Sequence, residues 1–140
     1  MNLTDAQIVR VYTQVTPPPG AAGVAEASPN FIGGAPPAPT FDVVVEAEAG
    51  AILAFSNQPY VLVLYAYDVT QGVSAPPLNV PLPGAFGPPS WPSFQQVTTI
   101  PLGPGAYIPT HVYKYTAALT SNVGPNAIAS FMDSPLFILY

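Results

Sequence analysis

The run YVLVLYAYDVT, Tyr60 to Thr70, sets the terms on which this chain can fold. Side chains alternate along a strand, so one face carries Tyr60, Leu62, Leu64, Ala66 and Asp68. The other carries Val61, Val63, Tyr65, Tyr67 and Val69. Neither face has much to offer water, although a strand in a two-layer protein normally turns one side outward. Burying five such side chains stabilises by on the order of 10 kcal/mol, at about 25 cal/mol per Å². Left wet, an uncharged window of this β-propensity without proline is an aggregation site. Something must cover the second face. The proline-rich segments, another subunit or a ligand would each do so.

Period-two patterning runs through the rest of the chain and predicts strands over 7–15, 41–49, 94–100 and 110–120. A broken last strand is expected over 127–133 and 136–140, interrupted at Ser134-Pro135. Gly50 is read as a bulge or bend, with 51–55 continuing as strand beyond it. Residues 78–82 are read as an edge strand, because proline is tolerated where no ladder donor is needed. Prolines cluster in two stretches, an arm or lid at 16–40 and a second connection at 75–93, inside one domain spanning 1–140. No amphipathic helix and no internal repeat is legible. Roughly seven or eight strands at this spacing predict an all-β fold, a single antiparallel β-sandwich, with a jelly roll as the alternative.

One local pattern sharpens that expectation. In LGPGAY, Leu102 to Tyr107, a tyrosine follows a Pro-Gly turn ahead of a long strand. It resembles the tyrosine corner of immunoglobulin-like sandwiches, which implies that the Tyr107 phenol bonds back to the upstream backbone.

Charge narrows the range of partners. Only 6% of residues are charged, and the net charge of −5 leaves Arg10 and Lys114 as the sole cations. A nucleic-acid surface needs clustered Lys and Arg, and attraction to anionic membranes needs the same. No apolar run is long enough to span a bilayer. Cysteine is absent, which removes disulfides and thiolate metal sites. The start MNLTDAQIVRVYTQ lacks a basic stretch followed by an apolar one. Beginning at Met1, the chain is expected to be a whole translation product, cytoplasmic or carried into a released particle or extracellular assembly without a signal peptide.

Three features favour copies of the chain as the cover. PLFILY ends the sequence in an apolar run that must be tied into a sheet, its own or a neighbour's. Phe31, Ile32, Phe86, Trp91 and Phe94 place apolar bulk in or beside proline-rich coil. The candidate edge strands lack the lysines that usually block edge pairing. The expected function is therefore a self-assembling structural protein, a homo-oligomer that could extend as a filament or lattice. The expected self-association residues are Val61, Val63, Tyr65, Tyr67, Val69, Leu136, Phe137, Ile138, Leu139 and Tyr140. The alternative is a carbohydrate- or surface-binding module built on a tyrosine stripe, Tyr65 and Tyr67 with Tyr113 and Tyr115.

Catalytic material is sparse, and no enzyme activity, cofactor or metal site is expected. His111 is the single histidine; a nucleophile set can be drawn with Ser121 or Ser130 and Asp133, but no G-x-S-x-G elbow accompanies them. The simpler reading is a histidine bonding backbone or water at a strand start. Asp42, Glu46 and Glu48 share a strand face, which reads as the solvated side of a charge-poor sheet rather than a cation site.

Overall fold

The structure, a computed structural model, describes residues 3–16, 20, 30–32, 40–74, 80–101, 108, 110–122 and 127–139. In chain order the elements are β1 (Ala6–Val15), β2 (Asn30–Ile32), β3 (Thr40–Ala49), α1 (Ala51–Ala54), β4 (Pro59–Asp68) and β5 (Val73–Ser74). There follow β6 (Val80–Ala85), β7 (Ser93–Pro101), β8 (Val112–Ser121), β9 (Ile128–Asp133) and β10 (Phe137–Leu139).

Two sheets pack as a β-sandwich. The smaller has the order β1-β3-β7, antiparallel throughout. The larger is centred on the β4–β8 pair, Val61 opposite Thr120 through Asp68 opposite Tyr113. The outer side of β4 is shared by β6 and β5, and that of β8 by β9 and β10. The β2–β10 pair is parallel and the other pairs of this sheet are antiparallel.

The alternation in Tyr60 to Asp68 decides which way the larger sheet faces. Tyr60, Leu62, Leu64 and Ala66 turn inward with Tyr113, Tyr115, Ala117 and Leu119 of β8, against Ile8, Val11, Phe41, Val43 and Val45 of the smaller sheet. Two aromatic groups fill the ends of this core. Phe41, Tyr115 and Phe137 meet at one, with ring centroids 5.6–6.1 Å apart. Tyr60, Phe86, Trp91 and Phe94 meet at the other, Trp91 stacking on Phe94 at 4.7 Å. The aromatics of the second proline-rich connection thus anchor it to the chain's own core. The side chains of Phe31 and Ile32 fall outside the description.

Two local expectations are revised, and a third is met. Residues 51–54 form a single helical turn, closed by Ala54 N–H donating to the Gly50 carbonyl at 2.9 Å, and not a strand. Consecutive Leu53 and Ala54 are both buried while Ile52 and Phe55 are exposed, a pattern that alternation cannot produce. The register shift lies in β1 between Ile8 and Arg10, not at Gly50. The strand expected over 78–82 is β6, whose described part begins at Val80.

The broken last strand is real, and its interruption is useful. Ser134 N–H donates to the Tyr115 carbonyl at 2.7 Å, and Tyr115 N–H donates to Ser134 Oγ at 3.0 Å. The serine hydroxyl stands in for a backbone acceptor, so β9 and β10 run along β8 as two halves of one edge. Phe137 is fully buried and β10 pairs with its own β8. The described part of the carboxyl-terminal apolar run, Phe137–Leu139, is tied into the chain's own sheet.

Tyr107 lies outside the described residues. Tyr113, near the start of β8, bonds back to the upstream backbone: its phenol accepts from Ile108 N–H at 2.6 Å and donates to the Ile108 carbonyl at 3.3 Å. Burial pushes the Tyr113 phenol up from its ordinary range, and nearby Asp68 adds to that.

Candidate functional site

Register turns the outer face of the larger sheet into rows that cross several strands. Pro81 of β6, Val63 of β4, Ala118 of β8 and Phe131 of β9 lie opposite one another in sequence, one apolar line over four strands. Pro83, Val61, Thr120 and Ala129 form the row beside it. Phe131 stands 66% exposed at the end of its row, on the outer strand β9, and Val61 is exposed in the row beside it. Val69 extends the apolar character toward the far end, beside half-buried Val112 and Ile138.

Between these rows the face turns polar. Tyr65 lies opposite Thr116, and Thr116 opposite Asp133; Tyr67 lies opposite Lys114. Thr116 Oγ1 donates to Asp133 Oδ1 at 2.6 Å, and Lys114 Nζ meets Asp133 Oδ2 at 3.0 Å while lying 5.7 Å from the Tyr67 ring centre. The Thr116 hydroxyl, then the lysine, hold the Asp133 carboxyl below its usual range. Tyr65, Ala66, Tyr67, Ser74, Lys114 and Thr116 line a shallow depression here. A sheet face that is apolar toward both ends with a hydroxyl- and charge-bearing band between them suits a packing contact that also makes hydrogen bonds.

The expected self-association residues divide on this geometry. Val61, Tyr65, Tyr67 and Val69 are exposed on the outer face, and Val63 is half-buried among them. Leu136 is exposed, Ile138 half-buried and Phe137 enclosed in the core. The Leu139 side chain and all of Tyr140 fall outside the description. Phe131, Pro81 and Pro83 belong to the same surface and escape a reading of single strands, because only pairing brings them to Val61 and Val63. The four-tyrosine stripe does not form. β4 and β8 are neighbours, but Tyr65 and Tyr67 face outward while Tyr113 and Tyr115 are buried on the opposite side.

The polar groups weighed for catalysis have structural partners. His111 Nδ1 lies 2.9 Å from Asp68 Oδ2, and Asp68 Oδ1 accepts Gln71 N–H at 3.0 Å, so the pair closes the turn after β4. Ser121 Oγ donates to the Pro59 carbonyl and accepts from Gln58 Nε2, both at 2.6 Å, and Ser130 Oγ accepts Ile8 N–H at 3.0 Å. Asp133 faces Lys114 and Thr116, away from His111.

The carboxylate face of β3 is solvated only in part. Asp42 is buried and accepts from Gln14 Nε2, Thr16 Oγ1 and Thr99 Oγ1 at 2.9–3.3 Å, while Glu46 and Glu48 are half-exposed. Among the described residues no group of three metal-ligating side chains converges, and no helix is long and apolar enough to cross a membrane. No protein-family model matches the chain, and no curated protein matches it.

Proposed function

We propose that this protein is a structural subunit that packs against copies of itself through the outer face of its larger sheet. The observation that carries the reading is the apolar row Pro81–Val63–Ala118–Phe131, exposed at Pro81 and Phe131, half-buried at Val63 and closed beneath by buried Ala118. A lone sandwich gains nothing from a two-thirds exposed phenylalanine set among valine, alanine and proline. Contiguous apolar surface with a polar rim is what a packing interface requires.

Size limits what this contact does alone. Four strands about 4.8 Å apart, over the length of Val61 to Val69, make a face on the order of 600 Å². Two copies then bury about 1,200 Å² in total, at the lower end for specific association. Micromolar pairing through the face, strengthened by a second contact, is the expected regime.

Sedimentation over a concentration series tests the reading. Wild-type protein should grow from monomer to larger regular species, and Phe131→Asp should weaken that growth at least tenfold while leaving the fold intact, since Phe131 is 66% exposed. A wild-type chain that stays monomeric throughout, or a variant that assembles as the wild type does, overturns it.

A further inference from the structure

We infer that the free edge of β7 pairs with the β7 edge of a second copy across a two-fold axis, joining two small sheets into one. The inference rests on the self-association reading and adds a second contact to it.

Hydrogen-bond parity fixes what this edge presents. Ala49 N–H donates to the Pro92 carbonyl at 2.9 Å, which continues the β3–β7 register one step past Glu48 opposite Ser93. Pro92 therefore faces β3, and so do Phe94, Gln96, Thr98 and Ile100. The N–H and C=O groups of Ser93, Gln95, Val97 and Thr99 point the other way, where no described strand pairs with them; the Val97 carbonyl accepts from Gln96 Nε2 at 3.3 Å and keeps its second lone pair. All four residues are exposed, and Pro92 and Pro101 bracket them.

The other long edges are closed. On β6 the bond from Phe86 N–H to the Gln58 carbonyl, 3.0 Å, places Leu82 and Gly84 toward β4 and turns Pro81 and Pro83 to the free side. Neither proline has a donor to give, so that edge resists strand addition. The outer edge of β1 lies against β9, to which Ile8 N–H is bonded through Ser130 Oγ. β7 alone among these has neither proline nor charge between its bracketing residues.

A second copy is the occupant that meets all these conditions at once. In the antiparallel register that sets Ser93 against Thr99 and Gln95 against Val97, every outward donor meets an acceptor. The two-fold repeats the match without further requirements. No like charges are opposed, because β7 carries none. Glu46 and Glu48 on the two β3 strands stay three strand spacings apart, about 14 Å, beyond the ~8 Å screening length of physiological salt. An edge two-fold and a separate face contact on one subunit alternate to extend the assembly, as a filament where the combined rotations do not close and as a ring where they do.

Amide hydrogen exchange of the purified chain over the same concentration series tests the edge. The amides of Ser93, Gln95, Val97 and Thr99 should slow at least tenfold as the protein assembles, while those of Gln96 and Thr98, already bonded to β3, change little. Val97→Pro removes one outward donor without touching the β3 ladder, and Gln95→Lys/Val97→Lys sets like charges across the two-fold. Both should arrest growth at a small finite species held by the face contact, and the lysine variant keeps the test valid if the proline variant fails to fold. Assembly with unchanged exchange at the four amides, or variants that grow as the wild type does, overturns the edge contact and leaves the face reading standing. A wild-type chain that never associates overturns both.

Discussion

The phenol of Tyr60 lies over Gly84, so close that a Cβ on residue 84 would stand 2.5 Å from its oxygen and 2.6 Å from Cζ. The two residues are cross-strand partners on β4 and β6, and the ring belongs to the cluster with Phe86, Trp91 and Phe94. Glycine here is a matter of space, since an added methyl must displace a ring that three aromatics hold. Gly84→Ala should destabilise the fold by about 1–3 kcal/mol, the range for overpacked sites. Urea unfolding followed by Trp91 fluorescence measures it, and a loss below about 0.5 kcal/mol would mean that the ring moves freely.

Acid should loosen the turn between β4 and β5. Burial alone would raise the Asp68 carboxyl, but the His111 bond and the backbone N–H groups of Gln71 and Thr70 outweigh it and hold the group below its usual range. A folded-state value below the unfolded one, about 3.9, contributes stability that is present above that pH. The contribution is lost as pH falls from about 4 through the folded value. Wild type should therefore lose more stability than Asp68→Asn between pH 6 and pH 3, and the difference between them should shrink as pH falls. Parallel stability curves for the two proteins in urea would contradict the assignment.

Two phenylalanines on adjacent edge segments should behave oppositely. Phe137 is fully buried, and truncation to alanine should cost about 3–5 kcal/mol in folding. Phe131 is largely exposed, and the same truncation should change monomer stability by no more than about 0.5 kcal/mol while reducing association. Thermal unfolding at low concentration, where monomer dominates, separates the effects. Equal losses at the two positions would place Phe131 in the fold rather than the contact.

Period-two alternation was enough to locate β1, β3, β4, β7, β8 and the broken β9–β10 edge to within about two residues, because strand burial is written into successive side chains. It failed at Ala51–Ala54, where two adjacent buried residues need a helical turn that four residues are too few to announce. The carboxyl-terminal run could belong to its own sheet or a neighbour's on sequence alone, and only the pairing of β10 with β8 assigned it.

Local chemistry in the chain determined that Tyr60 to Asp68 would be strand with little polar cover on either face, though the strand stops two residues short of Thr70, and that few charges would guard any edge. Which residues share a surface was beyond its reach. Pro81, Val63, Ala118 and Phe131 are far apart in the chain and form a row only through three strand registers, and Tyr113 and Tyr115 leave the stripe through the same registers. Whether an edge is closed by proline or left open depends on which way each N–H points, and that parity is set by the neighbouring strand. Alternation is a property of one strand, whereas a sheet surface is a property of the pairing between strands.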